Sequence, residues 1–340
     1  MGSKNGFTSI FCDWFTAGQR HEKGGLPAVV DGVTARFDRD GNCTFEKGIP
    51  SRLAGSFDSS VGILCDSHFV GLSGNVGRFG RSDNLFNLGW SATREKADRI
   101  LSLANLPSLA DGTSRPVDWD SRQENRRDWP GRGATVARLD LTCNFSAGSD
   151  AQARAVIRWL SGQSLKRAKR GYSGDESVWW SNTRIMLKAY RKGAEMKAHG
   201  VDDDVVQWAT DQGIVRVELE LKRRELQERD LRDIGNITQD KLESIFMEHM
   251  EPFLRVDSSD EPDILASIPL RSRAYASAWL AGQDVRLLCS TATLYRHAKV
   301  LRDYGLDILE TRNLERFPVK VRVLDLVPVS VPDWYLERAA

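Results

Sequence analysis

Strict alternation of apolar and polar residues marks three segments in the middle of the chain, residues 137–145, 184–192 and 215–222. In the first segment, Leu139 points to one side and its neighbour Asp140 to the other. Because successive side chains of a β-strand lie on opposite faces of the sheet, each segment is predicted to be a strand with one apolar and one polar face. A half-buried antiparallel sheet is built from such strands.

Short apolar runs separated by Gly, Ser, Asn and Asp occupy the first 115 residues, which predicts short strands joined by turns. These runs are residues 7–15, 32–37, 61–65 and 68–72. Helical periodicity predicts helices elsewhere, the second of them with Asp150 as its N-cap. The predicted helices are residues 93–105, 151–162, 203–210, 221–231 and 238–250. The polar segment 108–133, interrupted by Pro and Gly, is predicted to be an exposed loop.

The C-terminal part of the chain has a different organisation. Residues 252–266 are rich in Pro, Ser and Asp and predict a linker. Two helices follow, at 267–281 and 290–304, and the turn between them has the spacing of a helix-turn-helix module. An alternating segment, residues 319–327, adds a closing strand.

These elements predict an α+β fold. We expect a curved, mainly antiparallel sheet with helices on one face, which leaves the polar face open as a groove. A small C-terminal helical module, similar to a helix-turn-helix, completes the chain. The predicted domains are residues 1–255 and residues 265–340.

Charge is balanced over the whole chain, with 48 Lys and Arg against 47 Asp and Glu, but not locally. The segment from Arg154 to Lys197 contains eleven basic residues and only three acidic ones. Contact with nucleic-acid phosphates requires such an excess, although a solvated charged face has the same composition. The five scattered cysteines without a CxxC pair argue against a disulfide framework or a zinc ribbon. Without an apolar run of about 18 residues or a signal-peptide pattern, we expect no membrane span.

Carboxylates recur on the predicted polar faces. Asp140 lies in the first alternating strand, and Glu218 and Glu220 lie in the third. Carboxylates brought together on one sheet face bind Mg²⁺ or Mn²⁺, which prefer oxygen ligands. The flanking Arg138 and Arg216 balance that charge or hold a phosphate by a bidentate contact. The alternative is a set of ordinary cross-strand Arg–carboxylate pairs.

Tyr190 shares its predicted strand face with Lys188 and Lys192. A free tyrosine has a pKa of about 10 and attacks poorly at neutral pH. Nearby ammonium groups or a metal would favour the phenolate and hold a scissile phosphate. The alternative is an ordinary strand tyrosine. Because no two histidines form a His-x-His pair, a nuclease site here would depend on carboxylates for its metal.

Two basic groups are candidates for DNA binding. One lies on the predicted 290–304 helix, whose basic face suits a major groove unless it is only the edge of a packing helix. The other precedes the Tyr190 strand and suits backbone phosphates. The residues are Arg296, Lys299 and Arg302 in the first group, and Lys166, Arg167, Lys169 and Arg170 in the second. Trp179 and Trp180 are candidates for stacking on unpaired bases, with burial in the core as the alternative.

Four stretches together resemble the gene II/X family of filamentous-phage replication initiators and, more distantly, the Rep_trans-type plasmid initiators. They are ARLDLTCNFSA (137–147), ESVWWSNTRIMLKAYRKGAEM (176–196), VRVELELKRREL (215–226) and STATLYRHAKVLRDYGLDI (290–308) with VPDWY behind it. Segments in the first hundred residues also resemble this family, so the likeness touches most of the chain in consistent order. Each motif alone is loose, and their order and spacing are specific.

The resemblance implies a metal-dependent endonuclease that starts rolling-circle replication by nicking one strand. The tyrosine of the Y-x-K strand, which is Tyr190 here, would be the nucleophile. The RxD and RxE strands would supply acidic site residues, which are Asp140, Glu218 and Glu220, and Glu195 matches a further acidic position. The expected cofactor is Mg²⁺ or Mn²⁺. The implied partners are double-stranded origin DNA, single-stranded DNA, and a host helicase and polymerase in the bacterial cytoplasm, with a homo-oligomer on DNA as an option.

Two rival interpretations remain at this point. The first is a non-enzymatic DNA-binding regulator of phage replication or transcription, which uses the C-terminal module and makes the Tyr190 pattern accidental. The second is a nuclease whose nucleophile is water, which leaves a free 5′ phosphate and no DNA–protein adduct.

Overall fold

The computed structural model describes residues 6–112, 133–163, 165, 167–200, 203–254, 268–280, 283–302, 304, 306, 308–309 and 327–339. The predicted 108–133 loop and the 252–266 linker fall largely outside these residues. So do Lys166 and most of the predicted closing strand.

Antiparallel pairing joins ten strands into one large sheet, whose order is β4-β5-β6-β1-β7-β11-β10-β9-β8, with β12 paired to β7. A separate ribbon is formed by β2 and β3. The strands are β1 (Ile10–Arg20), β2 (Gly32–Phe37), β3 (Cys43–Ile49), β4 (Ser51–Ala54), β5 (Ser60–Cys65), β6 (Phe69–Gly74), β7 (Thr135–Ser146), β8 (Lys169–Ser173), β9 (Ser177–Ser181), β10 (Ile185–Arg191), β11 (Ile214–Lys222) and β12 (Val327–Pro328).

Helices surround this sheet. They are α1 (Trp90–Leu103), α2 (Asp150–Ser161), α3 (Lys192–Ala198), α4 (Asp204–Asp211), α5 (Arg223–Glu228), α6 (Gln239–Leu254), α7 (Leu270–Leu280), α8 (Thr291–Arg302) and α9 (Asp333–Ala339). None of the helices in the described ranges is long and apolar enough to cross a membrane.

The main hydrophobic core lies on the apolar face of the sheet. Residues such as Leu139, Leu141 and Val217 point into it from the strands, and α1, α2, α5 and α6 cover it. Burial of this much apolar side-chain surface is the principal stabilising contribution to such a fold. The α+β prediction and its mainly antiparallel sheet are confirmed, and the period-two alternation identified β7, β10 and β11 correctly.

A second, smaller core forms on the polar side of the sheet. Phe11 belongs to it, whereas its neighbours Ile10 and Cys12 belong to the main core, so the side chains alternate across β1. The remaining buried side chains of this second core come from helices α3, α4 and α9, from the segment 85–86, and from Phe7 and Ile214. It therefore packs beside the polar residues of β7, β10 and β11.

Some boundaries differ from the sequence-based expectations. Ser149, not Asp150, caps α2, because its side chain accepts a hydrogen bond from the backbone N–H of Gln152. Lys192 is not the last residue of the strand but the first residue of α3. The sequence pattern also missed the short strands β8 and β9.

The C-terminal helices α7 and α8 share a small core of their own, which includes Trp279, Leu294 and Leu301. Ten residues, 281–290, separate the two helices, whereas a helix-turn-helix turn has three or four. The helix-turn-helix assignment stays a prediction. The last described segment returns to the large sheet, where β12 pairs with β7.

Candidate active site around Tyr190

Strand pairing brings the predicted site residues of β10 and β11 together. Tyr190 lies opposite Arg216, and Lys188 lies opposite Glu218. The phenolic O–H of Tyr190 donates a hydrogen bond of 2.5 Å to Oε1 of Glu218. This phenol–carboxylate pair is the centre of the site.

Burial dominates the electrostatics of Tyr190, which is only 6% exposed. Burial raises the pKa of the phenol well above its ordinary value of 10, and the positive charge of Arg216 only partly opposes that effect. The ammonium groups of Lys188 and Lys192 lie 4.5 and 6.0 Å from the ring centroid. The sequence-based expectation of a favoured phenolate is therefore wrong for the free protein, where the phenol needs a proton acceptor to react.

Glu218 is placed to be that acceptor. Burial and the negative charge of Asp13 raise the pKa of the Glu218 carboxyl, whereas Arg216 and the Tyr190 hydrogen bond lower it. A carboxylate whose pKa is raised is a stronger base, so it accepts a phenolic proton more readily than a solvated glutamate does.

Arg216 is fully buried beside this pair. Its Nε donates to Asn144 Oδ1 at 3.0 Å, and its Nη2 donates to the backbone carbonyls of Asn84, at 2.6 Å, and Leu85. Within the described part of the chain, Nη1 has no hydrogen-bond partner and lies 4.0 Å from Asp13 Oδ2. Arg216 is therefore a fixed, fully buried positive charge beside the Tyr190–Glu218 pair.

Lys192 is also buried, with 1% exposure. Its ammonium donates to Asn84 Oδ1 at 2.9 Å and to Glu195 Oε2 at 2.7 Å. Burial, followed by the positive charge of Arg216, lowers its pKa to about 8. The ammonium group is consequently charged at neutral pH and loses its charge in mild alkali.

Asp140 and Glu220 form a second acidic pair, directly opposite each other on β7 and β11. Arg138 joins them, since its guanidinium donates to both Asp140 oxygens at 2.8 and 2.6 Å and lies 3.5 Å from Glu220. The guanidinium also lies over the ring of Trp14, at 5.3 Å from the centroid. Burial raises the pKa of Asp140 to about 6 and outweighs the opposing effect of Arg138.

Asp13 and the asparagines of the 75–87 segment are site residues that the sequence pattern did not reveal. Pairing between β1 and β7 shifts register between Cys12 and Trp14, so Asp13 is the extra residue of a β-bulge. Its carboxylate accepts hydrogen bonds from Asn75 at 2.8 Å and from Asn87 at 3.2 Å. The bulge breaks the period-two alternation, which is why the pattern gave no signal there.

The predicted DNA-binding residues lie on other elements. Arg167, Lys169 and Arg170 are at or near the start of β8, the edge strand that follows β10 and β9 in the sheet. The other group, Arg296, Lys299 and Arg302, is exposed on α8. Trp180 is buried, and its ring centroid lies 5.0 Å from that of Phe253. For this residue the alternative, burial in the core, is confirmed.

In the described parts of the chain, no group of three or more His, Cys, Asp or Glu side chains is close enough to hold a metal ion. The carboxylates nevertheless act on one another, because Glu218 and Glu220 both raise the pKa of Asp140, and Asp13 raises that of Glu218. Mg²⁺ commonly takes only one or two protein carboxylates together with substrate phosphate oxygens. The donor chemistry fits such an ion.

Two models of known protein families match most of the chain. The family model of the replication-associated protein G2P N-terminal region matches residues 40–240, and that of the G2P C-terminal region matches residues 269–340. The replication-associated protein G2P of Enterobacteria phage I2-2 is 26% identical over 334 residues, covering 87% of this chain and 89% of its own. The protein of the same name from Escherichia phage If1 is 26% identical over 317 residues, covering 81% and 97%.

Among solved structures, a rolling-circle replication initiator protein from Geobacillus stearothermophilus aligns with 75% of this chain and 89% of its own, at 12% identity and a TM-score of 0.33. The two G2P family models together span the strands that form the Tyr190 site and the C-terminal helices. The chain belongs to the replication-associated protein G2P family of filamentous phages.

Proposed function

We propose that the protein initiates rolling-circle replication by nicking one DNA strand at a phage origin and rejoining it after synthesis. Tyr190 is the nucleophile. The observation that carries this proposal is the hydrogen bond of 2.5 Å from its phenol to the Glu218 carboxylate, beside three cationic side chains. A nucleophile aligned with a base is the arrangement that covalent catalysis requires.

In the nicking step, the phenolic oxygen of Tyr190 attacks phosphorus and forms a P–O bond, while its proton passes to Glu218. The bond from phosphorus to the 3′ oxygen breaks, and that oxygen takes a proton from solvent water to become a free 3′ hydroxyl. The strand is then linked through its 5′ phosphate to Tyr190. Rejoining is the reverse attack by a 3′ hydroxyl, which conserves the bond energy and needs no ATP. The free 3′ hydroxyl primes a host polymerase behind a host helicase.

The positive side chains of the site have a defined task in this scheme. Lys188, Lys192 and Arg216 neutralise the phosphate and stabilise the charge that develops on its oxygens in the transition state. Arg216 is fully buried, so it acts as a fixed positive charge beside the phenol, and low-polarity surroundings strengthen its attraction for the developing negative charge.

The proposed cofactor is Mg²⁺ or Mn²⁺, for which one or two of Asp140, Glu218 and Glu220 would supply oxygen donors alongside the substrate phosphate. When bound, a divalent ion withdraws electron density from the scissile phosphate and favours attack on it. Glu218 has two oxygens, of which Oε1 faces Tyr190, so it is the proposed link between the metal and the nucleophile.

Origin recognition is assigned to the basic residues outside the site. Arg296, Lys299 and Arg302 on α8 would contact duplex DNA, and a homo-oligomer on DNA would multiply such contacts. Lys166, Arg167, Lys169 and Arg170, together with Arg138, would contact backbone phosphates of the strand that enters the site.

A nicking assay tests the proposal. Supercoiled plasmid carrying the cognate origin is incubated with Mg²⁺ or Mn²⁺, and nicked circles are counted. Wild-type protein is expected to nick and Tyr190→Phe is not. Equal nicking by Tyr190→Phe would overturn the nucleophile assignment. An absence of nicking by wild-type protein with every divalent ion would instead favour the non-enzymatic regulator.

A further inference from the structure

The Tyr190 site rests on one loop, residues 83–87, which we call the asparagine loop. The side-chain oxygen of Asn84 accepts the Lys192 hydrogen bond, and the carbonyls of Asn84 and Leu85 accept those of Arg216. At the other end of the loop, Asn87 donates to Asp13. Both buried cations of the site thus donate to this loop, in addition to their contacts with Asn144 and Glu195.

The asparagine loop is in turn held from the far end of the sequence. The hydroxyl of Tyr335, on α9, donates to Asp83 Oδ1 at 2.5 Å and accepts from the backbone N–H of Phe86 at 3.2 Å. Arg81, just before the loop, donates to the same hydroxyl at 2.6 Å. The Tyr335 hydroxyl oxygen therefore connects Asp83, at the start of the loop, with the backbone of Phe86.

Tyr335 is positioned for this contact by tight packing. It is 1% exposed, and its ring lies edge-on to the rings of Phe86 and Phe7, with distances between ring centroids of 5.1 and 6.1 Å. A simple core role would be met by phenylalanine. The buried hydroxyl, with three polar partners, is the additional feature that the packing alone does not explain.

We infer that the C-terminal helix α9 positions the active site, through hydrogen bonds of the Tyr335 hydroxyl to Asp83, Phe86 and Arg81. Tyr335 is a positioning residue, since it acts through the asparagine loop on Lys192 and Arg216. This inference rests on the proposed role of Tyr190 for its effect on nicking. Its structural part, the dependence of the loop on Tyr335, stands independently of that role.

The structural part is tested by hydrogen–deuterium exchange of the full chain without DNA. In Tyr335→Phe, the amides of Leu85 and Phe86 lose their anchored geometry, and we expect their exchange to quicken about tenfold, whereas amides of β5 and β6 keep their wild-type rates. Tyr172→Phe is the matched control, since it removes the hydroxyl of a half-exposed tyrosine on β8. Unchanged exchange at residues 85 and 86 in Tyr335→Phe would overturn the inference.

The catalytic part is tested by single-turnover nicking of an origin oligonucleotide. We expect Tyr335→Phe to slow the nicking rate about tenfold and to leave the Kd for DNA within about twofold, because the loop orients groups that act on the reacting phosphate. A helix with only a packing role predicts equal nicking by the folded variant, and that result would overturn the catalytic part.

Variants at Asp83 give the same test from the loop side, should Tyr335→Phe fail to fold. Asp83→Ala removes the acceptor, whereas Asp83→Asn keeps an oxygen for the Tyr335 hydroxyl. We expect Asp83→Asn to recover most of the nicking rate and exchange protection that Asp83→Ala loses, and equal losses in the two variants would contradict the inference. If wild-type protein does not nick at all, the proposed function fails, and the exchange data alone still decide whether Tyr335 orders the loop.

Discussion

The hydroxyl of Tyr190 donates to the carboxylate of Glu218 across two neighbouring strands, at 2.5 Å. Glu218 is half-buried near Asp13, and desolvation together with the negative charge of Asp13 raises its pKa, while burial raises the pKa of the Tyr190 phenol as well. Both shifts favour the protonated form, so the pair binds its protons more tightly than the same two groups would in water. In the mechanism that we propose, the reaction of Tyr190 therefore depends on Glu218 as its base.

Substitution of Glu218 separates the roles of base and metal ligand. For Glu218→Gln, we expect the nicking rate at saturating Mg²⁺ to fall about 100-fold, because the amide cannot accept the phenolic proton. For the control Glu220→Gln, which leaves the Tyr190 contact intact, we expect a higher Mg²⁺ concentration at half-maximal rate and recovery of the rate at high Mg²⁺. If added Mg²⁺ fully restores the nicking rate of Glu218→Gln, Glu218 acts only as a metal ligand and not as the base.

The rate of nicking should depend on pH on both sides of neutrality. On the acid side, the rate falls as Glu218 becomes protonated, at a pH above the ordinary glutamate value of 4.5 because its pKa is raised. On the alkaline side, the rate falls near pH 8 as Lys192 loses its proton and its charge. In Lys192→Arg the alkaline fall should disappear, since a guanidinium stays charged. Single-turnover rates from pH 5 to 9.5 measure both limbs, and an alkaline limb unchanged in Lys192→Arg would refute this assignment.

Asp140 should reduce the stability of the fold at neutral pH. Its pKa is about 6 in the folded chain against an ordinary 3.8, so the folded state binds the proton more tightly. The resulting stabilisation is present below about pH 4 and is lost as pH rises through 6, a loss of up to about 3 kcal/mol.

For Asp140→Asn, we therefore expect the free energy of unfolding, measured in urea at pH 7, to be about 1–3 kcal/mol higher than for wild type. At pH 3.5 the two proteins should have the same free energy of unfolding. Asparagine keeps an oxygen acceptor for Arg138, which makes it the matched substitution. If the variant is less stable than wild type by the same amount at both pH values, the ion pair between Asp140 and Arg138 stabilises the fold more than burial of Asp140 destabilises it.

The exposed lysine of α8 provides a test of origin binding. Lys299→Ala should weaken binding to origin duplex and lower the slope of log K against log salt concentration by about one, because one phosphate contact is lost. Nicking of a single-stranded oligonucleotide should be unchanged, since α8 lies outside the Tyr190 site. If the slope of log K against log salt concentration is the same for the variant and wild type, Lys299 does not contact a DNA phosphate.

Sequence periodicity predicted the central strands of the sheet because their alternation reflects a buried and a polar face. It placed Tyr190, Glu218 and Arg216 on one face correctly. It could not reveal Asp13, since the β-bulge changes the register there. It also gave the wrong direction for the pKa of Tyr190, because the second core that buries this face is assembled from distant segments.

The asparagine loop and Tyr335 were beyond the reach of sequence patterns for a related reason. Their hydrogen bonds join residues about 250 positions apart, and Asp83 with Tyr335 forms no local motif. Isolated polar residues in a loop look solvated until the fold shows that they are buried. Only long-range packing reveals that the C-terminal helix lies beside the groups that hold the site.

The most direct test of the central claim is to identify the residue that becomes attached to DNA. A single-stranded origin oligonucleotide, labelled on the 3′ side of the nick, is incubated with the protein and a divalent ion, and the denatured protein is digested and analysed by mass spectrometry. We predict a nucleotide adduct on Tyr190, in the tryptic peptide of residues 189–191, and none in Tyr190→Phe. Cleavage that yields a free 5′ phosphate without an adduct, or an adduct on another residue, would contradict the account.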